Sequence, residues 1–350
     1  MISVPRLASR LVSRPRARAA ALTLAALLPL GAAVGPAPAA PAPAPGVAAR
    51  ATATRVLAIS VDGLNPDAIR KLGRTGAPTF YRLKNEGAAT FNARTEYEQT
   101  VTLPNHTGMM TGRRVDRTNG GHGVTWDHDR PGSTVQEAAG HPVDSVFSVV
   151  HDAGRSTALF STKPKFALYD RSWPAGIDLF RADENQKALV DAARRDLVAS
   201  DRAFTFLHVS LPDRAGHAYG FMSRPYVDAV RRTDRLLGTV LATVEGDPTL
   251  SRQLVVVLTA DHGGVGASHS TATRLGNYRI PFLVWGPGVP SGSLYGLNPD
   301  YADPGARRPT YAGRQPVRNG DVANLAATLL GLEPVPGSDL DAQQQLRVSR

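Results

Sequence analysis

The feature that most limits what this chain can fold into is Val56-Leu57-Ala58-Ile59-Ser60-Val61, a nearly continuous apolar run that stops at Asp62-Gly63. A run of that length and evenness suits a strand covered on both faces, which is the condition of a parallel sheet flanked by helices. Thr157–Ser161, Phe204–Ser210, Leu254–Thr259 and Pro281–Trp285 are further strand candidates, rich in Val, Phe, Leu and Thr. Between these runs, Pro66–Leu72, Pro78–Glu86, Glu184–Val198 and Tyr226–Val244 carry apolar residues at helical spacing. Asp321–Leu330 reads as a last helix, closed by Gly331 and Pro334. Strand–helix alternation of this kind predicts an α/β fold, a three-layer α/β/α sandwich around a mostly parallel central sheet. Arg113–Ser133, rich in Gly, Asp, His and Arg, has no period and reads as a long loop.

The first 50 residues follow different rules. Arg6, Arg10, Arg14, Arg16 and Arg18 precede an apolar run from Ala19 to Val34, and an Ala/Pro tract follows to Pro45. A basic start, an apolar centre and small-residue sites describe a secretory signal over residues 1–40. Residues 41–54 then read as an extended Ala/Pro-rich linker. The apolar core ends near Leu30, short of the roughly 20 residues that cross a bilayer, so no stable membrane span is expected. Six of the 40 basic residues and none of the 30 acidic ones lie in this segment. The rest of the chain is close to charge balance and offers no footprint for nucleic acid. The domain proper is expected over 55–335, with 336–350 a polar C-terminal tail. There is no cysteine, so disulfides, thiolate metal sites and a Cys nucleophile are excluded. Any metal must be held by nitrogen and oxygen ligands.

In open α/β sheets ligands gather beyond the carboxyl ends of the strands. Three predicted strands end in residues able to ligate a metal: Asp62 after the first, Asp213 and His217 after the third, Asp261 and His262 after the fourth, with His269 shortly beyond. Each has a plain alternative, since Asp-Gly after a strand is usually a turn and a loop Asp-His pair is usually solvated. Their joint occurrence at strand ends favours a site. Six N and O ligands suit two zinc-like divalent ions. Thr102-Leu103-Pro104-Asn105 adds a hydroxyl before a proline, which biases Leu103 towards extended geometry. A helix is then expected to open around Asn105 to Gly108, its free N–H groups and dipole facing an anion beside Thr102. Capping by Thr or Asn is the plain reading of that stretch.

As a set, Ser60-Val61-Asp62-Gly63, Thr102-Leu103-Pro104-Asn105-His106, Pro212-Asp213-Arg214-Ala215-Gly216-His217 and Thr259-Ala260-Asp261-His262-Gly263 resemble the alkaline phosphatase superfamily. The resemblance is specifically to its type I phosphodiesterase / nucleotide pyrophosphatase members, and it covers roughly residues 55–332. It implies an alkaline-phosphatase-like fold and two metal sites, one of Asp213, His217 and His269, the other of Asp62, Asp261, His262 and the Thr102 hydroxyl. Thr102 would be the nucleophile, forming a threonyl-phosphate intermediate, and Asn105 would hydrogen-bond a non-bridging phosphoryl oxygen. The implied function is a secreted, metal-dependent phosphodiesterase acting on a small-molecule phosphoric ester. The pattern departs from the family in two places. Leu103 stands where nucleotide hydrolases commonly carry an aromatic residue, and His269 lies only seven residues past His262. A phosphomonoesterase or a phosphonate hydrolase on the same fold is the nearest rival, and a non-catalytic metal- or phosphate-binding relative a distant one. Sulfatase chemistry is disfavoured by the absence of a Cys/Ser-x-Pro-x-Arg motif. Lys163 and Lys165, just past the second strand, are within possible reach of a phosphate, although solvated lysines are the default. His106 reads as structural, and His122 as a loop histidine that could line the site. His208 carries no readable signal.

Overall fold

The computed structural model describes residues 53–342 and 344–348. The expected leader, 1–40, and residues 41–52 of the expected linker lie outside the described residues. The eight strands are β1 Arg55–Val61, β2 Ala88–Arg94, β3 Ser156–Ser161, β4 Leu179–Ala182, β5 Arg202–Val209, β6 Leu254–Thr259, β7 Arg279–Trp285 and β8 Gly292–Ser293. They form one sheet in the order β4-β3-β5-β1-β6-β7-β2-β8. The seven helices of eight or more residues are α1 Pro66–Gly76, α2 Pro78–Glu86, α3 Thr102–Thr111, α4 Gln186–Ala199, α5 Leu211–Tyr219, α6 Arg224–Gly246 and α7 Val322–Leu329.

β1 lies at the centre and is buried along nearly its whole length, as an evenly apolar run requires. It pairs in parallel with β5 on one side and β6 on the other, and β3 pairs in parallel with β5. Four carboxyl ends therefore share one edge of the sheet. Helices cover both faces. α1, α2, α4 and α5 gather around the long α6 on one face, while α7 packs with α3 and against β1 and β6 on the other. The three-layer α/β/α architecture is as expected from the sequence.

The sheet is mostly parallel as expected, with two antiparallel pairs and three strands that the apolar runs did not mark. β7 runs antiparallel to β6, and β2 antiparallel to β7. β2, β4 and β8 escape the pattern because Ala88–Arg94 is small and polar and the other two are four and two residues long. Two local readings need correction. The helix of the Thr102–His106 motif opens at Thr102 rather than near Asn105, and Leu103 is helical. Pro104 falls in the first turn, where its missing N–H costs no hydrogen bond, so it does not delay the helix. The 336–350 segment is not a polar tail among its described residues. Leu340, Leu346 and Val348 are buried, and Asn324 donates to Leu340 O while Asn298 donates to Arg347 O. Three apolar side chains spaced through a polar sequence suffice to dock it.

Candidate active site

Parallel pairing decides the geometry. Ser60 aligns with Thr259 on β6 and with His208 on β5, so Asp62 and Asp261, each two residues further on, emerge side by side. After Asp62 the chain turns through Gly63 at φ +70°. There a Cβ would lie 2.9 Å from the Asp213 backbone, so only glycine admits this approach. Asp213 stands in the first turn of α5 and His217 one turn later. α3 is buried at all ten positions despite its Thr, Asn and His residues, which must therefore bond inward. Thr107 Oγ1 donates to Leu103 O and Thr111 Oγ1 to Thr107 O. His106 Nδ1 reaches Thr102 O at 2.8 Å and its Nε2 reaches Ser60 Oγ at 2.8 Å. That imidazole ties the Thr102 turn to β1.

The structure brings together Asp62, Thr102, Asp213, His217, Asp261, His262 and His269. Two groups have ligand atoms within 4.8 Å of one another: Asp62, Asp261 and His262, and Asp213, His262 and His269. The first is the trio expected from the sequence. In the second, His262 takes the place expected of His217, whose half-exposed side chain stands at the rim. His217 Nε2 is still 3.3 Å from Asp213 Oδ1 and 3.0 Å from His269 Nε2.

The hydrogen bonds around these residues decide whether a cation fits. Asp261 Oδ1 accepts from the N–H groups of Gly63 and His262, at 3.1 and 2.9 Å. Asp62 Oδ2 meets His208 Nε2 at 3.0 Å and Lys163 Nζ at 2.6 Å. His262 Nδ1 faces Gly263 O at 2.9 Å and His269 Nδ1 faces Thr100 O at 2.6 Å. Each ring thus places its proton on a carbonyl and turns an Nε2 lone pair inward, as metal-ligating imidazoles do. What remains is a set of buried atoms with no hydrogen-bond partner: Asp62 Oδ1, Asp213 Oδ1, Asp261 Oδ2 and His262 Nε2. His262 Nε2 lies 3.2 Å from Asp261 Oδ2 and 3.5 Å from Asp62 Oδ1. Acceptors converging on acceptors cost free energy unless a cation sits among them. The residues fit divalent metal.

Electrostatics agree. Burial disfavours the Asp62 carboxylate, yet the Lys163 ammonium and the His208 hydrogen bond hold its pKa well below the usual range. Burial, then the neighbouring Asp62 charge, pushes Asp261 well above that range. Burial, then His269, lowers His262 to about 3 and keeps it neutral. Asp62 and Asp213 share the Lys163 ammonium, at 2.6 and 2.8 Å, and Asp261 is the carboxyl that further positive charge would ionise.

Asn105 is a correction. Its Oδ1 accepts from Glu96 N–H and Asn319 Nδ2, at 2.9 and 3.0 Å, and its Nδ2 donates to Gln99 O and Val101 O, both at 2.9 Å. No donor remains for a phosphoryl oxygen, so Asn105 acts as a brace beneath the helix start. The N–H of Leu103 is also taken, by Asp127 Oδ1 at 2.9 Å, so a carboxylate already occupies that part of the helix terminus. Sequence reasoning missed Asp127, and it missed His208, which bonds Asp62 from inside β5. A histidine at alternating strand register is indistinguishable in sequence from a core residue. His122 is buried away from solvent, with Nδ1 accepting from Val124 N–H.

The fold is that of the alkaline phosphatase superfamily. A superfamily protein from Vibrio parahaemolyticus superposes with a TM-score of 0.58 at 14% identity, covering 85% of this chain and 71% of that one. Murine ectonucleotide pyrophosphatase / phosphodiesterase 5, as an inactive threonine-to-alanine variant in complex with AMP, gives 0.62 at 15% identity, covering 84% and 99%. Residues 56–308 match the model of the type I phosphodiesterase / nucleotide pyrophosphatase family, and the chain belongs to that family. Among curated relatives, GPI ethanolamine phosphate transferase 1 of Neurospora crassa is 30% identical over 162 residues, 45% of this chain and 15% of the relative. The chain thus spans under a fifth of that relative's length. Family membership supports phosphoester hydrolase or transferase-type chemistry.

Proposed function

We propose that the protein is an exported, two-metal phosphodiesterase that works through a phosphothreonine at Thr102. The observation that carries this reading is the convergence of Asp62 Oδ1, Asp213 Oδ1, Asp261 Oδ2 and His262 Nε2, all buried and unpartnered, beside the Thr102 hydroxyl. One site would draw on Asp62, Asp261, His262 and Thr102, the other on Asp213, His269 and His217, with His262 between them. When bound, zinc or a similar divalent ion would polarise the phosphoryl oxygens and ease loss of the Thr102 proton.

The chain's own residues do the rest. His106 holds the carbonyl of Thr102 and so the backbone that carries the hydroxyl. Asp261 is locked by two backbone N–H groups, and Asp62 by His208. Thr102 Oγ1 gives its proton to solvent and attacks phosphorus in line. The P–O bond to the leaving oxygen breaks, and that oxygen takes a proton from water. A second water cleaves the phosphothreonine, releasing the phosphate product and restoring the Thr102 hydroxyl. The murine relative bound to AMP and inactivated by a threonine-to-alanine change supports Thr102 as nucleophile and a small phosphoric ester as substrate. Similarity to an ethanolamine phosphate transferase favours one variation, in which an alcohol replaces water as acceptor.

Paired hydrolysis of bis-p-nitrophenyl phosphate and p-nitrophenyl phosphate by the zinc-loaded protein tests the reading. Preference for the diester, lost on chelation and in Thr102→Ala, is the expected result. Preference for the monoester would replace it with a phosphatase. Two bound metals with no turnover of either would leave a binding protein. Recovery of an N-terminally shortened chain from the culture medium checks export.

A further inference from the structure

We propose that Lys163 is a substrate-contacting specificity residue that adds more to kcat/KM for phosphoric esters with a second negative charge at or next to the attacked phosphorus than for singly charged ones, whichever the wild type turns over faster. The inference rests on the reading of Thr102 as nucleophile and extends it to substrate class. Lys163 follows β3, the fourth parallel strand whose carboxyl end opens on the site. Its Nζ lies 3.3 Å from Thr102 Oγ1, 2.6 Å from Asp62 Oδ2 and 2.8 Å from Asp213 Oδ2. A reacting phosphorus approaches its nucleophile to about 3–3.5 Å. An ammonium already 3.3 Å from that nucleophile is therefore placed to touch the phosphoryl oxygens.

The other donors near Thr102 are committed. Asn105 spends its amide on Gln99 O and Val101 O, and Leu103 N–H is held by Asp127. Lys165 Nζ donates to both Asp127 Oδ1 and Asp127 O, at 2.7 and 3.0 Å, forming a pair with no net charge. Lys163 is ion-paired too, with Asp62 and Asp213, but of the two lysines it is the one whose ammonium also reaches Thr102 Oγ1. Where a neutral amide would stabilise any phosphoryl oxygen alike, this position offers an ammonium. Whatever total the metals and carboxylates carry, Lys163 raises it by one within contact distance. Of two substrates, the more negative then gains more.

Three substrates separate the sources of that charge: bis-p-nitrophenyl phosphate with one charge, p-nitrophenyl phosphate with two on one phosphorus, and ADP-ribose with one on each of two. In Lys163→Gln, kcat/KM is expected to fall about 100-fold on at least one of the latter two and less than about tenfold on the first. Lys163→Arg keeps the charge and is expected to keep the discrimination. Titration of the zinc-loaded protein with inorganic phosphate gives a readout free of turnover, and its Kd should weaken about 100-fold in Lys163→Gln. Equal losses on all three substrates, or an unchanged phosphate Kd, would overturn the proposal. So would loss of bound zinc from the Gln variant, because Lys163 would then act through the metals. If the wild type turns over none of the three, the hydrolase reading falls, and the phosphate titration still decides the role of Lys163.

Discussion

Two groups of buried acids sit in this domain, and they are solved differently. At the carboxyl edge of the sheet, Asp62, Asp213 and Asp261 face one another and the lone pairs of His262 and His269. In the second region, Glu96 and Glu98 share the hydroxyl of Tyr311. Nearby, Asp341 accepts from Tyr301 Oη, and Asp321 accepts from Arg318 N–H. Burial, reinforced by neighbouring acids, pushes Glu96 and Asp321 well above the usual carboxyl range, and burial raises Asp341 to about 7. There the acids stay buried by keeping protons and taking donors. Glu96 Oε1 does lack a partner, but it faces Gly108 and Gly320 rather than other acceptors. At the sheet edge the free atoms of Asp62, Asp213, Asp261 and His262 converge on one another, an arrangement that fits a divalent cation. Burial of acids is common to both regions; the direction of their lone pairs tells the site from the scaffold.

The largest effect that tests this contrast is at the nucleophile. Thr102→Ala is expected to lower turnover by at least about 10³-fold while leaving metal content and melting temperature near wild type. A variant with most of its activity would remove Thr102 from the chemistry. Next comes the metal. Asp261→Asn keeps the shape but removes one charge, and bound zinc measured by mass spectrometry should fall by about one equivalent. The matching change in the second region, Asp321→Asn, should leave zinc unchanged. Equal zinc in both variants would erase the distinction between the two clusters.

Acid stability gives a smaller effect. Burial lowers His122 to about 3, so below pH 6.5 the unfolded chain binds a proton that the folded one refuses. Its contribution to stability is complete above pH 6.5 and declines as pH falls towards about 3, by about 1.4 kcal/mol per unit. Urea midpoints measured from pH 7 to pH 5 should drop, and less steeply in His122→Asn. The smallest effect concerns Glu96. Its raised folded pKa means stability is greatest below the unfolded value and declines as pH rises towards the folded one. Glu96→Gln should therefore gain in melting temperature relative to wild type between pH 5 and pH 8. A gap that does not widen over that range would mean Glu96 is ionised in the fold.

Much of this was legible beforehand. β1, β3, β5, β6 and β7 each read as apolar runs because both faces are covered, and the ligand residues stood at the ends of three of them. The polar and very short strands β2, β4 and β8 carried no such pattern. Their pairing partners are distant in sequence, and pairing, not propensity, makes them strands. Asn105 was misread for a related reason. Its residue type suits a phosphoryl contact, but whether an amide is free depends on what surrounds it. Here Glu96, Gln99, Val101 and Asn319 use it completely.

By itself the sequence determined the α/β class and the parallel core, and it named Thr102 and the acid and histidine set as candidates, since these depend on local pattern and side-chain chemistry. The tertiary structure alone decided which donors are spent and which lone pairs are free. It paired His262 with both ligand groups, moved Asn105 from the chemistry to the scaffold, and set Lys163 beside Thr102. Those outcomes depend on parallel register and on contacts distant in sequence, as between Thr102 and Lys163 or Asn105 and Asn319. No local pattern encodes such contacts.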